Sequence, residues 1–266
     1  MSEPRHSRVA GTNGDIVVHA WDHEAPTWVA VLVHGYGEHL GRYQHVAEHL
    51  IGEGATVVGP DHQGDGLSAG ERVLVADYET VVDDLHTVVE TVRQAHPGLP
   101  VVLIGHSMGG MIAARYAQVN GDLLAALVLS GPVLGSWHPT GLADRDRIPD
   151  DPLDVSALSR DPAVGEAYSA DPLVWHGPFK RTTLRALATE LATINDGGRL
   201  GALATLWVHG AADELVPIGP SRYGIERITG SDFTERVFDG ARHEVFNETN
   251  RDEVLATVTA FVRRHI

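Results

Sequence analysis

A single serine stands between glycines at a sharp corner of the sequence. In "VVLIGHSMGG" (101–110), four apolar residues of high β propensity lead into Gly105, and Ser107 is followed by Gly109 and a helix-like run. This pattern predicts a strand, a tight turn and a helix. Such a turn lifts a hydroxyl to a helix N-terminus, which favours developing negative charge. We predict that Ser107 is a nucleophile, and the alternative is an incidental serine in a turn.

A serine nucleophile needs a base and a group that orients the base. Where a nucleophile follows a strand in this way, the chain order is serine, acid, histidine. Asp213 follows the strand-like run "LATLWVHG" (203–210), and His243 follows the next strand-like run. We therefore predict Asp213 as the acid and His243 as the base.

Three other side chains are weaker candidates for the acid or the base. Asp239 lies four residues before His243, where it is expected to cap a turn. His209 precedes a glycine at a strand end and is interpreted as a packed core histidine, and His265 is next to last in the chain.

The negative oxygen of an acyl-transfer intermediate needs two backbone N–H donors in such a site. One donor is predicted to be Met108, the residue after the serine. The other is predicted in the loop "HGYGEHLGRY" (34–43), at Tyr36 between two glycines. Since both donors are main-chain groups, position matters more than side-chain type.

His34, His39 and His45 raise the question of a metal site in the same region. Zinc needs converging ligands, whereas His34 ends a strand and the other two begin a helix. We interpret them as side chains that hold loops by hydrogen bonds. No metal and no organic cofactor is predicted.

Alternating strands and helices must position these residues. The runs "WVAVLV" (28–33) and "TVVG" (56–59) are apolar without alternation, which is typical of strands covered on both faces. Apolar residues recur at helical spacing from 78 to 92. The alternation predicts an α/β fold with a mostly parallel sheet flanked by helices, whose ligands bind at the carboxyl ends of the strands.

Local signals predict where some elements begin and end. Asn13-Gly14 predicts a hairpin turn, and Asn120-Gly121 predicts a helix C-cap. Asn250 with Glu253 three residues later resembles a capping box at the start of the last helix.

The pattern breaks between about 132 and 200, which holds seven of the 14 prolines. We interpret this segment as a cap of short helices inserted into a core formed by 1–131 and 201–266.

Composition excludes several classes of function. The net charge of -16 disfavours nucleic acid as a partner, and the absence of cysteine excludes disulfides and thiolate chemistry. The first fifteen residues lack the apolar core of a signal peptide, and no apolar run reaches the roughly 18 residues of a membrane span. We therefore expect a cytoplasmic protein, with non-classical export left open.

Four blocks resemble one known family: "HGYGEHLGRY", "GHSMGG", "HGAADELVP" and "ARHEVFNE". They are similar to blocks of the α/β-hydrolases and, within these, of the monoacylglycerol lipases, and the similarity extends over essentially the whole chain. The resemblance implies an α/β-hydrolase fold and the same site residues. It also implies that Glu38 and Arg42 shape the polar end that receives glycerol; the alternative is a surface ion pair on a helix start.

Two positions depart from the family's pattern. In "DHQGDGLS" (61–68), Gln63 and Asp65 stand where many relatives have arginine and histidine, while the other residues of the block remain. Phe246 stands where some relatives have a polar residue near glycerol, which counts against the glycerol assignment.

The resemblance implies a serine esterase that hydrolyses monoacylglycerols through an acyl-enzyme, with the cap receiving the acyl chain. A carboxylesterase for aromatic or phthalate-type esters is the alternative enzyme, and a ligand-binding receptor with a hydrolase fold is the non-enzymatic alternative. The predicted partner is a small ester or lipid. Transient membrane contact through the cap is left open, and so is the oligomeric state.

Overall fold

This computed structural model describes residues 3–266, which contain eight strands and seven α-helices. The strands are β1 (Arg5–Gly11), β2 (Gly14–Trp21), β3 (Trp28–Val33), β4 (Ala55–Pro60), β5 (Val101–His106), β6 (Ala126–Ser130), β7 (Ala204–Gly210) and β8 (Phe233–Phe238). The helices are α1 (Gln44–Gly52), α2 (Tyr78–Ala95), α3 (Met108–Asn120), α4 (Pro162–Ala170), α5 (Arg181–Asp196), α6 (Ile218–Ile228) and α7 (Arg251–Val262). Residues 1 and 2 lie outside this description. They belong to the predicted core segment 1–131 and to the N-terminal stretch that was compared with a signal peptide.

All eight strands pair into one sheet, in the order β1-β2-β4-β3-β5-β6-β7-β8. β1 and β4 pair antiparallel with β2, and the strands from β4 to β8 in this order run parallel. The predicted mostly parallel sheet is confirmed. Because the parallel strands point the same way, the loops after their carboxyl ends gather at one edge of the sheet.

The central strands lack a polar face because alternate side chains enter two separate cores. In β3, Val29 and Val31 belong to the core beneath α2, α3 and α5, whereas Trp28 and Leu32 belong to the core beneath α1 and α7. All six residues of β3 are buried. A continuous apolar run is what this two-sided burial requires.

The first hairpin turns one residue earlier than predicted. Gly11 pairs with Gly14, so the two loop residues are Thr12 and Asn13. Asp84 on α2 accepts hydrogen bonds from the Thr12 backbone N–H (2.7 Å) and hydroxyl (2.9 Å), which fixes the turn at this residue.

The sequence places two helix boundaries and their cap residues correctly, but neither cap has the expected geometry. Gly121 has a φ of -62° rather than a left-handed conformation, because the chain continues into a short 3-10 turn. The Asn250 side chain makes no capping hydrogen bond to the backbone of α7. Its amide nitrogen donates to Glu253 (3.1 Å), and its oxygen accepts from Arg160 (2.7 Å).

The chain between β6 and β7 leaves the sheet and then returns. It forms 3-10 turns at His138–Asp144 and Val155–Ala157, then α4 and α5. α5 packs against α2, α3 and α6, so it belongs to the helical layer on that side of the sheet. The division into core and cap at 132 and 200 stays a prediction. Among residues 3–266, no helix combines the length and apolar character needed to cross a bilayer.

Candidate active site

Ser107 occupies the sharp turn between β5 and α3, with φ 57° and ψ -121°. A Cβ atom at Gly105 would lie 2.3 Å from the Gly109 carbonyl oxygen, and one at Gly109 would lie 2.1 Å from the Val33 carbonyl oxygen. Side chains at these two positions would therefore push the helix away from the strand. The glycines on either side of Ser107 are required by this close approach.

Ser107, His243 and Asp213 meet at the carboxyl edge of the sheet. The Ser107 Oγ lies 2.9 Å from His243 Nε2, and His243 Nδ1 lies 2.7 Å from Asp213 Oδ2. A carboxylate beside Nδ1 accepts a hydrogen bond from the N–H group there, which leaves Nε2 unprotonated and able to accept the serine proton. The arrangement can activate the hydroxyl for attack on a carbonyl carbon.

The acid is itself held by the backbone of its loop. Asp213 Oδ1 accepts hydrogen bonds from the N–H groups of Leu215 (3.0 Å) and Val216 (2.8 Å). Burial raises the pKa of Asp213, but His243 and the Val216 N–H outweigh burial and lower it below the ordinary value. Burial likewise lowers the pKa of His243, but Asp213 outweighs it and raises this pKa above 6.5.

The weaker candidates for the acid or the base do not contact Ser107. Asp239 is exposed, and His265 lies 3.3 Å from Asp232 at the far end of the chain. His209 is buried, as predicted, and its Nδ1 accepts from the Trp207 indole N–H (3.1 Å). Its Nε2 lies 2.9 Å from the Val216 carbonyl oxygen and 3.4 Å from Asp213 Oδ2. It therefore packs behind the acid rather than beside Ser107, a contact that the sequence did not predict.

Tyr36 and Met108 both line the cavity above Ser107. The adjacent Gly35 approaches so closely that a Cβ there would lie 3.2 Å from the Ser107 Cβ. Glu38 accepts a hydrogen bond from the Gly35 N–H (2.7 Å), which fixes this loop against the turn. The role of Tyr36 and Met108 as oxyanion donors stays a prediction.

Glu38 and Arg42 form a buried pair, so the predicted alternative of a surface ion pair is wrong. Their side chains are 5% and 10% exposed, and the Arg42 guanidinium contacts both Glu38 and Glu244. Tyr43 donates its hydroxyl to Glu38 (2.7 Å). Burial lowers the pKa of Arg42, but the two carboxylates outweigh it and raise this pKa. Glu244 and the Tyr168 ring cover Arg42, which places these charges below the surface.

The three histidines considered as metal ligands contact different partners. His34 Nδ1 donates to the Gly35 carbonyl (2.8 Å), His39 Nε2 lies 2.8 Å from Asp171, and His45 Nε2 donates to the Phe246 carbonyl (2.9 Å). Residues 3–266 contain no cluster of three metal-ligating side chains. Each imidazole holds a loop, as predicted.

The departures from the family's pattern fall outside the catalytic contacts. Asp61, which the block retains, accepts hydrogen bonds from the N–H groups of Leu40 and Leu67 and therefore braces two loops. Asp65 is buried, and burial raises its pKa well above the ordinary value. Phe246 packs in the apolar core beneath α7 and does not line the main cavity.

The site opens into a cavity of about 570 Å³. Apolar side chains of the segment 132–180 form much of its wall: Val133, Trp137, Leu142, Leu153, Leu158, Trp175 and Phe179. A polar part of the wall, here called the polar end, consists of Glu38, Arg42, Tyr168 and Glu244, whose side chains meet at Arg42. Sequence reasoning missed Tyr168 and Glu244, although the position of Glu244 directly after the predicted base was a usable signal.

Comparison with known proteins identifies the family. Residues 24–250 match the protein family described as serine aminopeptidase, S33. A monoacylglycerol lipase of Mycolicibacterium smegmatis is 37% identical over 97% of this chain and 96% of that protein. The chain belongs to the monoacylglycerol lipase family of serine hydrolases. A human relative of this family, monoglyceride lipase, is 30% identical over 84% of this chain and 77% of that protein.

Solved structures of the monoacylglycerol lipase family confirm the predicted α/β-hydrolase fold. The enzyme of Paleococcus ferrophilus has a TM-score of 0.82 at 27% identity and covers 94% of this chain and 99% of its own. A Saccharomyces cerevisiae monoglyceride lipase has a TM-score of 0.87 at 21% identity, covers 100% of this chain and 96% of its own, and shows the fold alone. As a member of this family, the protein is a hydrolase of carboxylic esters.

Proposed function

We propose that the protein hydrolyses monoacylglycerols to fatty acid and glycerol, with Ser107 as nucleophile, His243 as base and Asp213 as the acid that orients it. The observation that carries this proposal is the chain of 2.9 Å and 2.7 Å contacts at the floor of a cavity with an apolar wall and a polar end. An amphiphile with one acyl chain and a small polyol head matches that division. The names of the relatives support the same substrate.

The reaction follows from the positions of these groups. Ser107 Oγ attacks the ester carbonyl carbon while His243 Nε2 takes the hydroxyl proton. The negative oxygen is stabilised by the backbone N–H groups of Tyr36 and Met108, each worth about 3 kcal/mol in comparable sites. His243 then gives its proton to the departing glycerol oxygen, which leaves an acyl ester on Ser107. Water attacks this ester while His243 takes a proton from the water; the acyl–Oγ bond then breaks, His243 returns the proton to Ser107 Oγ, and the fatty acid departs.

We place glycerol at the polar end, near Glu38 and Arg42, and the acyl chain against the apolar residues of the cap. The cap is taken to be the inserted segment that begins at 132. Phe246, which counted against glycerol in the sequence, packs in the core and leaves the polar end unchanged.

A substrate panel tests the substrate class. Monolauroylglycerol should be hydrolysed with a kcat/KM at least tenfold above that for a short p-nitrophenyl ester or a phthalate monoester. If the aromatic esters react as fast, the lipase assignment fails and a general carboxylesterase is the better description.

A fluorophosphonate probe tests whether the protein is an enzyme at all. We expect stoichiometric labelling that disappears in the Ser107→Ala variant. A folded wild-type protein that does not react would instead favour a ligand-binding role.

Transient contact between the cap and a lipid surface forms part of this proposal. Leu153 is 41% exposed and also lines the cavity, so it stands at the mouth through which a lipid would enter. Leu153→Ser should weaken flotation with neutral phosphatidylcholine vesicles, and unchanged flotation would contradict the contact. The cytoplasmic location stays a prediction.

A further inference from the structure

The polar end of the cavity contains an arginine that is paired with two carboxylates. Arg42 is the single lysine or arginine that lines the cavity among residues 3–266. Four carboxylate side chains line the same cavity: Glu38, Asp151, Glu214 and Glu244. The surroundings of an ester bound here are therefore negative on balance.

Glu244 makes the larger share of the contacts to Arg42. Its two carboxylate oxygens accept hydrogen bonds from Nη1 (2.8 Å) and Nη2 (2.9 Å) of Arg42, a bidentate pair. Glu38 contacts Nη1 as well, and the Tyr168 ring covers the guanidinium at 5.0 Å. With both carboxylates ionised, the three charges sum to minus one.

This arrangement affects neutral and anionic head groups differently. A glycerol hydroxyl can donate to a carboxylate oxygen, so a neutral polyol fits the polar end. A phosphate or carboxylate would need a free cation, but Arg42 is already paired, and like charges repel strongly in a partly desolvated pocket. The carboxylate of Glu244 thus pairs with the Arg42 guanidinium, which could otherwise bind an anionic head group.

Resting on the proposed function, we infer that Glu244 is a specificity-determining residue that keeps Arg42 from binding anionic head groups and so restricts turnover to neutral esters. Its role is separate from the chemistry at Ser107. It acts by occupying the guanidinium edge that a phosphate would otherwise use.

The test compares two esters that differ only in a phosphate, 1-lauroylglycerol and 1-lauroylglycerol 3-phosphate. Wild type should favour the neutral ester by roughly a hundredfold or more in kcat/KM. Glu244→Gln should reduce this preference by roughly tenfold or more, because one charged hydrogen bond from Arg42 then becomes available to the phosphate. Asp151→Asn is the matched control. Asp151 is exposed and forms no ion pair with Arg42. Removing its screened charge should therefore change the preference less than about threefold.

The faster turnover of the phosphate ester in Glu244→Gln must also depend on Arg42. In an Arg42→Gln background, Glu244→Gln should no longer improve turnover of the phosphate ester. An equal gain without Arg42, or an equal gain in Asp151→Asn, would overturn the inference in favour of a general charge effect. If Glu244→Gln fails to fold, wild type alone remains decisive, since hydrolysis of both esters within about threefold would also overturn it. Hydrolysis of neither ester would instead contradict the proposed function.

Discussion

Backbone strain at Ser107 is part of how the proposed nucleophile is presented. Its φ of 57° with ψ -121° lies where residues with a side chain are rarely found, and such conformations cost about 1–3 kcal/mol. The surrounding contacts hold it there, since Ser107 N–H donates to the Ser130 carbonyl (2.9 Å) and its carbonyl accepts from Val133 N–H (3.0 Å). The turn is stable because the sheet fixes both of its ends.

Removing the side chain should relieve this strain. Ser107→Gly is expected to be at least as stable as Ser107→Ala in urea unfolding, because glycine adopts this conformation freely. At the exposed helical position Ala192, by contrast, Ala→Gly should cost about 1 kcal/mol. A similar loss for glycine at both positions would show that Ser107 is not strained.

Asp213→Asn should reduce kcat by about four orders of magnitude with little loss of stability. An amide cannot accept the Nδ1 proton of His243 in the way a carboxylate does, so the imidazole would lose the tautomer that accepts from Ser107. Steady-state kinetics on a monoacylglycerol would measure the effect. Near-normal rates would transfer the role of the acid to Asp239.

The pH profile should report the raised pKa of His243. Burial lowers that pKa and Asp213 raises it more, so the base takes up a proton at a pH above 6.5. Because only the neutral imidazole accepts the serine proton, kcat/KM for a neutral ester should fall on acidification with a midpoint above 6.5. A midpoint clearly below 6.5 would mean that another group controls the rate.

The sequence predicted the residues whose roles depend on local spacing. Ser107 is defined by its glycines and its strand, and Asp213 and His243 each follow a strand that the apolar pattern reveals. Tyr168 and Glu244 could not be placed in the cavity in this way, because their contacts to Arg42 depend on how the inserted segment folds back over the sheet.

At the scale of elements, the loop after β3 is tied to the inserted segment at two points. His39 Nε2 lies 2.8 Å from Asp171 Oδ2, just after α4, and the Trp175 N–H donates to the Gly37 carbonyl (2.8 Å). The loop that carries the predicted oxyanion donor Tyr36 and the wall of the cavity therefore support each other.

Asp171→Ala should loosen this connection. We expect faster hydrogen exchange in residues 171–178 and a higher KM, with kcat changed by less than about threefold, because the triad does not contact Asp171. Asp161→Ala is the control, since Asp161 caps α4 through the Ala163 N–H (3.0 Å) without touching the loop. Equal rates of hydrogen exchange in residues 171–178 for both variants would contradict a specific role of the His39–Asp171 contact.

Elements were predicted well where burial on both faces leaves a continuous pattern, as in β3. The inserted segment was harder, because prolines and aspartates obscure the helical period. α5 shows the limit: its buried residues Leu184, Leu187 and Leu191 recur at helical spacing, yet only the structure shows that they face α2 and α3.

At the scale of the whole molecule, buried neutral histidines make stability depend on pH. Burial lowers the pKa of His34 and His106 to about 4 and that of His62 well below 6.5. These groups stay neutral in the folded protein and take up protons near pH 6.5 once it unfolds. Their contribution is therefore complete above pH 6.5 and lost as the pH falls.

We expect the thermal unfolding midpoint to drop by about 10 °C or more between pH 7 and pH 4.5. The raised pKa values of His243, Asp65 and Glu190 act in the opposite direction. Burial also lowers the pKa of His45 and His209, so five imidazoles oppose these three groups. Replacing the exposed His138 by Gln should leave the decline unchanged. Constant or increasing stability over this interval would mean that the three imidazoles are protonated in the folded state.

The insertion between β6 and β7 has an evolutionary consequence. These strands are neighbours in the sheet, so the segment that joins them can lengthen, shorten or be exchanged by recombination without disturbing the other strands. Under the proposed function, preference for the fatty chain is encoded mainly in that exchangeable stretch, whereas Arg42 and Glu244 are encoded outside it. The two halves of substrate recognition can therefore diverge independently within one lineage.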